Sequence, residues 1–222
     1  MLAAAPVSAD EVHSEARVRE RLNEKYLDPE LDVSRWTEIF ETESRELFRS
    51  RSAIVSALEL TRGSSIADIG AGTGLFVEPF ARVIGDAGTV YAVEIAPKFV
   101  AHLRERVRSE GLERVRVVQS TETSAELPKD SIDLAFLCDV YHHFTYPETM
   151  LADLRRALRP GGALVVIDFE RIPGTSESWI LDHVRADKAE FIQDIQAAGF
   201  RFEAQLSVPG LVENYALRFR SP

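Results

Sequence analysis

The sequence predicts an α/β fold: a mostly parallel sheet of seven strands with helices on both faces, an antiparallel last strand and an N-terminal helical extension. Three observations carry this prediction. From Ser65 onward, short strands alternate with helical segments, and repeated βα units build a parallel sheet covered on both sides. Those strands are β-branched and mostly apolar on both faces, as buried parallel strands are. The last two apolar runs are separated by Pro209-Gly210 and not by a helix, so they read as an antiparallel hairpin ending the sheet.

The elements follow in order. Strand 65–69 leads into a glycine loop and a helix to about residue 84. Asp86-Ala87-Gly88 turns the chain into strand 89–94. Helix 97–110 stops at Gly111, and strand 115–119 follows. A polar loop, 120–131, precedes strand 132–138. Helix 147–158 ends at Arg159-Pro160-Gly161-Gly162, before strand 163–168. A helix over 186–198 stops at Gly199, and strands 200–207 and 212–219 close the chain. Upstream, residues 10–27 read as a weakly amphipathic helix broken by Asp28-Pro29-Glu30. A long helical pattern then runs from Trp36 to about Leu60, with Asp32 or Ser34 as its cap. The chain so divides into an N-terminal tail and helical cap over 1–60 and an α/β domain over 61–222.

Composition narrows the function. The 222 residues are 45% apolar and 28% charged, ordinary globular usage for one domain. A single cysteine, Cys138, rules out an intrachain disulfide and argues against a cysteine-based metal site; it reads as packing in a buried strand. The net charge of −10 repels phosphate backbones, so nucleic acid is not the expected partner. No apolar run is long enough to span a membrane. Residues 1–10 lack the basic and apolar regions of a signal peptide and read as a short tail; the alternative is the small-residue end of a longer signal.

A ligand in an open α/β sheet sits beyond the carboxyl ends of the strands, where the strand order reverses, and the first βα loop lies there. Gly70, Gly72 and Gly74 let that loop approach a ligand without Cβ clashes, and Asp68 stands at the strand end just before it. A dinucleotide fingerprint needs its third glycine where this chain has Leu75, so the ligand carries something other than a pyrophosphate at the loop. Glu94 ends the second strand at the position where an acid accepts from ribose hydroxyls.

Asp68-Ile69-Gly70-Ala71-Gly72-Thr73-Gly74 resembles motif I of class I S-adenosylmethionine-dependent methyltransferases. Tyr91-Ala92-Val93-Glu94 resembles their second motif, residues 134–144 their strand-four region, and residues 158–166 their strand-five motif. The resemblance covers about residues 35–219 and implies a Rossmann-like sheet with S-adenosylmethionine as cofactor and S-adenosylhomocysteine as product. It implies that the glycine loop, Ala71 and Thr73 included, supports the methionine part, that Glu94 holds the ribose and that Ile95 flanks the adenine. Thr121 stands where many members have an adenine-binding Asp, with Glu122 as its substitute; Asp139 is implied near the methionine amine or sulfonium. The chain is most similar to a small bacterial subgroup that shares Asp139-Val140-Tyr141-His142-His143-Phe144 and residues 40–48 and 183–188.

Methyl transfer requires alignment with the sulfonium, exclusion of water and, for a protonated nucleophile, a base. Tyr141, His142 and His143 follow strand four at the mouth of this site, where an imidazole deprotonates or orients an acceptor; the alternative is that one ring caps the next helix and the other packs. Two adjacent histidines with only His183 as a further donor give no expected metal site. His183 and Arg185 follow a segment after strand five that reads as a lid, and Arg185 reads either as an anion ligand or as a solvated helix-start charge. Arg45 reads as a ligand of the cofactor carboxylate or as part of a surface ion-pair set. The expected activity is methyl transfer to the O, N or S atom of a small molecule, in the cytoplasm where the cofactor is made, or outside it if residues 1–10 end a signal. Two rivals stand beside it. One is a non-catalytic S-adenosylmethionine-binding protein; the other is a nicotinamide oxidoreductase, which the Leu75 mismatch opposes.

Overall fold

The structure is a computed structural model and describes residues 23–42 and 45–222. The tail over 1–10 and most of the helix expected over 10–27 lie outside the described residues; 23–27 are helical. The helices are α1 (Val33–Phe40), α2 (Glu46–Ala57), α3 (Val77–Ile84), α4 (Pro97–Ser109), α5 (Pro147–Ala157), α6 (Ser178–His183) and α7 (Lys188–Ala197). The strands are β1 (Ser65–Ile69), β2 (Thr89–Glu94), β3 (Val115–Gln119), β4 (Ile132–Cys138), β5 (Leu158–Phe169), β6 (Arg201–Gln205) and β7 (Asn214–Arg220).

The seven strands form one sheet in the order β3-β2-β1-β4-β5-β7-β6. β1 pairs in parallel with both β2 and β4, so the order reverses beside β1 and opens the crevice there. β7 is antiparallel to both its neighbours, having inserted between β5 and the β6 that precedes it in the chain. This is the expected terminal hairpin, and its placement carries Asn214 to the carboxyl end of β5, opposite Phe169.

Period-2 alternation splits the core between the two faces of the sheet. Leu134 and Phe136 of β4 pack with α2 and α3 residues such as Leu47, Ile54 and Phe80. Ala135 and Leu137 pack with Leu154, Ile180 and Phe191 on the other face. A third, smaller cluster joins Leu31, Ala96 and Phe99 to Tyr26, Val33, Trp36 and Phe40, which seats α1 above the start of α4.

Two expected boundaries move. The helix expected from Trp36 to Leu60 is two helices, α1 capped by Asp32 and ending at Phe40, and α2 beginning at Glu46. No Gly or Pro stands at that break; side chains with distant partners make it. Glu41 accepts from the Thr73 hydroxyl, and Glu46 accepts backbone N–H groups of Val212, Glu213 and Asn214 at 2.7–3.0 Å. β5 begins at Leu158 and not at 163, because Leu158 pairs with Ile132 across a register irregularity in β4.

Gly70 sits at φ +71°, and a Cβ there meets Val140 at 2.6 Å. Gly70→Ala is therefore expected to lower stability by roughly 2–4 kcal/mol in urea unfolding, the left-handed backbone and the clash together. Val140→Ala in the same chain restores part of that loss, because it removes the clash and leaves the backbone strain.

Candidate active site

A cavity of about 820 Å³ crosses the carboxyl ends of the parallel strands, from Glu94 on β2 past the glycine loop after β1 to the segments that follow β4 and β5. Its size suits a small-ligand cleft. α1 and the helical residues 23–27 cover it with Tyr26, Ile39 and Phe40; Phe169 and Trp179 line it on the β5 side.

The glycine loop is fixed by its neighbours. Gly70 and Ala71 donate to the Val93 carbonyl at 2.8 and 3.0 Å. Gly72 donates to Oε2 of Glu94 at 2.8 Å, while Oε1 of Glu94 accepts from Ile95 and Ala96 at 2.8 and 2.9 Å. Burial raises the Glu94 pKa, and these three N–H groups oppose that rise. A carboxylate has about four lone-pair positions, so Oε2 can still accept from a ligand hydroxyl. Behind the loop, the Arg106 guanidinium bonds the Thr73 carbonyl and pairs with Glu41 at 3.1 Å.

Two further acids line the cavity. Asp68 is buried, and its Oδ2 has no hydrogen-bond partner among the described residues. Burial, reinforced by the charge of Glu94, pushes its pKa up to about 8. Asp139 holds a left-handed backbone, φ +54°, and is flanked by the Arg45 guanidinium and by Nδ2 of Asn214 at 2.8 Å. Burial lifts its pKa to about 6 against the pull of Arg45.

Beyond Asp139 stand three imidazoles. His142 is 1% exposed, and its Nδ1 lies 2.8 Å from Oδ1 of the fully buried Asp168. His143 and His183 each pack against it and against each other, with ring centroids 4.2–5.0 Å apart. Burial and the neighbouring rings hold the pKa of His143 well below the usual histidine value, and that of His183 at about 4, so both are neutral.

The cavity thus brings together Asp68, Gly70, Ala71, Gly72, Thr73, Glu94, Ile95, Asp139, Arg45, His142, His143 and His183. Five residues singled out in the sequence do not line it. Tyr141 is fully buried against Phe144 and Phe191. Gly74 faces Leu103 and Arg106 behind the loop. Thr121 caps its own turn by accepting the N–H of Ser124, and Glu122 accepts from the Thr145 hydroxyl. Arg185 pairs with Asp194 at 3.2 Å and lies over the Phe191 ring. Cys138 does line it, and burial pushes its thiol up, so it stays protonated. Asn214, Asp168, Phe169 and Trp179 were not foreseen. Of these only Asp168 had a signal, an acid ending a buried apolar strand as Asp68 does.

Residues 67–166 match the family model of a methyltransferase domain. The chain is 30% identical over 111 residues to the ubiquinone/menaquinone biosynthesis C-methyltransferase UbiE of Erwinia tasmaniensis, covering 50% of this chain and 44% of that protein. It is 31% identical over 156 residues to a 37.1 kDa transposon TN4556 protein of Streptomyces fradiae, covering 70% of this chain and 44% of that one. The chain spans less than half the length of these curated relatives. A SAM-dependent methyltransferase from Aquifex aeolicus superposes with a TM-score of 0.75 at 24% identity, covering 86% of this chain and 99% of that one. The structure of a putative sarcosine dimethylglycine methyltransferase from Galdieria sulphuraria superposes with a TM-score of 0.65 at 17% identity, covering 83% of this chain and 87% of that one. Residues 67–166 are a methyltransferase domain by that match, and the chain has the fold of S-adenosylmethionine-dependent methyltransferases. Its sequence relatives include C-methyltransferases of quinone biosynthesis. Among the described residues, no helix is long and apolar enough to cross a membrane.

The raised Asp68 gives a stability test. Its folded pKa of about 8 exceeds the unfolded 3.8, so the folded state holds the proton more tightly. Its contribution is full below pH 4 and is lost as pH rises toward 8. Asp68→Asn is expected to gain on the wild type progressively across that window in thermal melts without ligand. Parallel pH profiles contradict the assignment.

Proposed function

We propose that this chain transfers a methyl group from S-adenosylmethionine to a small molecule seated between the glycine loop and the three imidazoles. The observation that carries the reading is the pairing of a preformed loop with a buried, unpartnered carboxylate oxygen on Asp68. An ammonium is the natural partner for that oxygen, and the cofactor's methionine end has one. Glu94 then accepts from the ribose, Ile95 flanks the adenine, and Gly72 and Thr73 line the methionine portion. Arg45, already paired with Asp139, has donors left for the cofactor carboxylate. When bound, the cofactor supplies an electrophilic methyl on a sulfonium and leaves as S-adenosylhomocysteine.

His142, His143 and His183 face the acceptor and take the proton-bearing atom of its nucleophile; Tyr141 supports their loop from below. Phe169 and Trp179, edge to face with centroids 5.0 Å apart, suit an apolar or aromatic body. The C-methyltransferase relatives of quinone biosynthesis agree with such a ring. The described residues before 60 act as a cap over the site in this reading, and a cytoplasmic setting follows from where the cofactor is made.

Gly72→Val and Glu94→Ala are expected to weaken S-adenosylmethionine binding at least 100-fold in calorimetry, about 2.8 kcal/mol, with circular dichroism unchanged. A Cβ at Gly72 meets nothing nearer than Phe40 at 3.8 Å, so it invades the ligand space and not the core, while the φ of +54° adds backbone strain that lowers the melting temperature and leaves the spectrum unchanged. Normal binding by both variants overturns the site. A protein that binds the cofactor but releases no S-adenosylhomocysteine with any of a panel of phenols, thiols and amines overturns the catalytic reading alone.

A further inference from the structure

The sequence offered two adjacent histidines and one distant one, too few in sight of each other to suggest a metal. The fold changes that count. His183 ends α6, in the segment after β5, and His142 and His143 form a tight turn after β4, beside β5 in the sheet. Each ring offers a nitrogen, and the three nitrogens lie within 4.8 Å of one another.

The rings are set up unlike ordinary core packing. Asp168 fixes the His142 ring through Nδ1 and also accepts the His142 backbone N–H at 3.3 Å. That leaves Nε2 of His142, and this atom is buried with no hydrogen-bond partner among the described residues. Nδ1 of His143 is in the same condition. A buried nitrogen with no partner is a liability in a folded protein unless something arrives to bond it. A carboxylate on the far nitrogen of an imidazole is the arrangement that orients metal-bound histidines and raises their basicity. Lys25, whose charge reaches His143 and His183, lies over the faces of Tyr26 and Trp36 at 4.8 and 5.4 Å.

We propose that His142, His143 and His183 bind one divalent transition-metal ion of the zinc class, with Asp168 as the outer partner of His142. Nitrogen donors alone disfavour magnesium and calcium, which take oxygen ligands, and suit zinc, cobalt or nickel. Three nitrogens on one tetrahedral ion stand about 3.4 Å apart, so side-chain rotation closes the present spacing. Three protein ligands leave a fourth position open, as in catalytic sites. All three histidines line the cavity, so that position faces the acceptor space. Resting on the methyl-transfer reading, an ion held by these three imidazoles would stand between them and the acceptor and would supply Lewis-acid lowering of the pKa of an acceptor hydroxyl or thiol.

The test uses the full chain, stripped with a chelator and titrated with Co²⁺ by visible absorption and with Zn²⁺ by calorimetry. One ion per chain is expected, with a four-coordinate cobalt spectrum. His183→Ala and His143→Ala each weaken binding at least tenfold. Asp168→Asn weakens it 10- to 100-fold while leaving all three ligands in place. His102→Ala, a histidine on α4 that does not line the cavity, leaves the titration unchanged. His183 is only half-buried on a short helix, so its variant keeps the test valid if His143→Ala fails to fold. S-adenosylmethionine binding is measured on the same samples, and His183→Ala is expected to keep it within about twofold. No saturable cobalt binding, or binding that His183→Ala leaves untouched, overturns the metal site. Failure of the wild type to bind S-adenosylmethionine while metal binds overturns the cofactor reading and leaves the metal site standing.

Discussion

The carboxylate of Glu94 gathers the N–H groups of Gly72, Ile95 and Ala96 and so ties the glycine loop to the end of β2 before a ligand arrives. An isolated carboxylate at this depth is unfavourable, and three N–H donors are what make it tolerable. The loop's other restraints follow from that anchor. Gly70 presses against Val140, Arg106 holds the Thr73 carbonyl, and Asp68 is left beside the cavity with an oxygen unpartnered. A loop ordered in advance loses less entropy on binding than one that must be ordered by its ligand.

Glu46 uses the same device on the other side of the cavity. Its carboxylate takes the N–H groups of Val212, Glu213 and Asn214, which joins the start of α2 to the start of β7. That junction sets Arg45 and Asn214 on either oxygen of Asp139. Two buried glutamates, each held by three backbone donors, thus position both flanks of the cavity. Between them stand groups with oxygens or nitrogens still to satisfy, Asp68, His142 and His143 among them.

Much of this fold was legible in the sequence because it follows from short-range pattern. Apolar β-branched runs, glycine stops and the βα alternation located all seven strands, and spacing picked out Glu94. What was hidden depends on distant partners. No helix breaker stands between the end of α1 at Phe40 and the start of α2 at Glu46, where Glu41 and Glu46 bond residues far along the chain. β7 inserts between β5 and β6, and no local pattern announces that, so Asn214 went unseen. Thr121 and Glu122 were placed at the adenine by resemblance, yet one closes its own turn and the other bonds Thr145. Tyr141 was read together with the histidines beside it, but the tight turn sends its ring into the core and theirs to the cavity.

The central claim is that a loop pinned by Glu94, with Asp68 beside it, is a ready-made cofactor site. A crystal structure with S-adenosylhomocysteine tests this most directly. The account predicts the ribose hydroxyls on Glu94, the amine within hydrogen-bond reach of Asp68, and the sulfur turned toward His142, with the Gly72–Glu94 hydrogen bond retained. Ligand bound away from these two carboxylates, or a loop that releases Glu94 to admit it, contradicts the account.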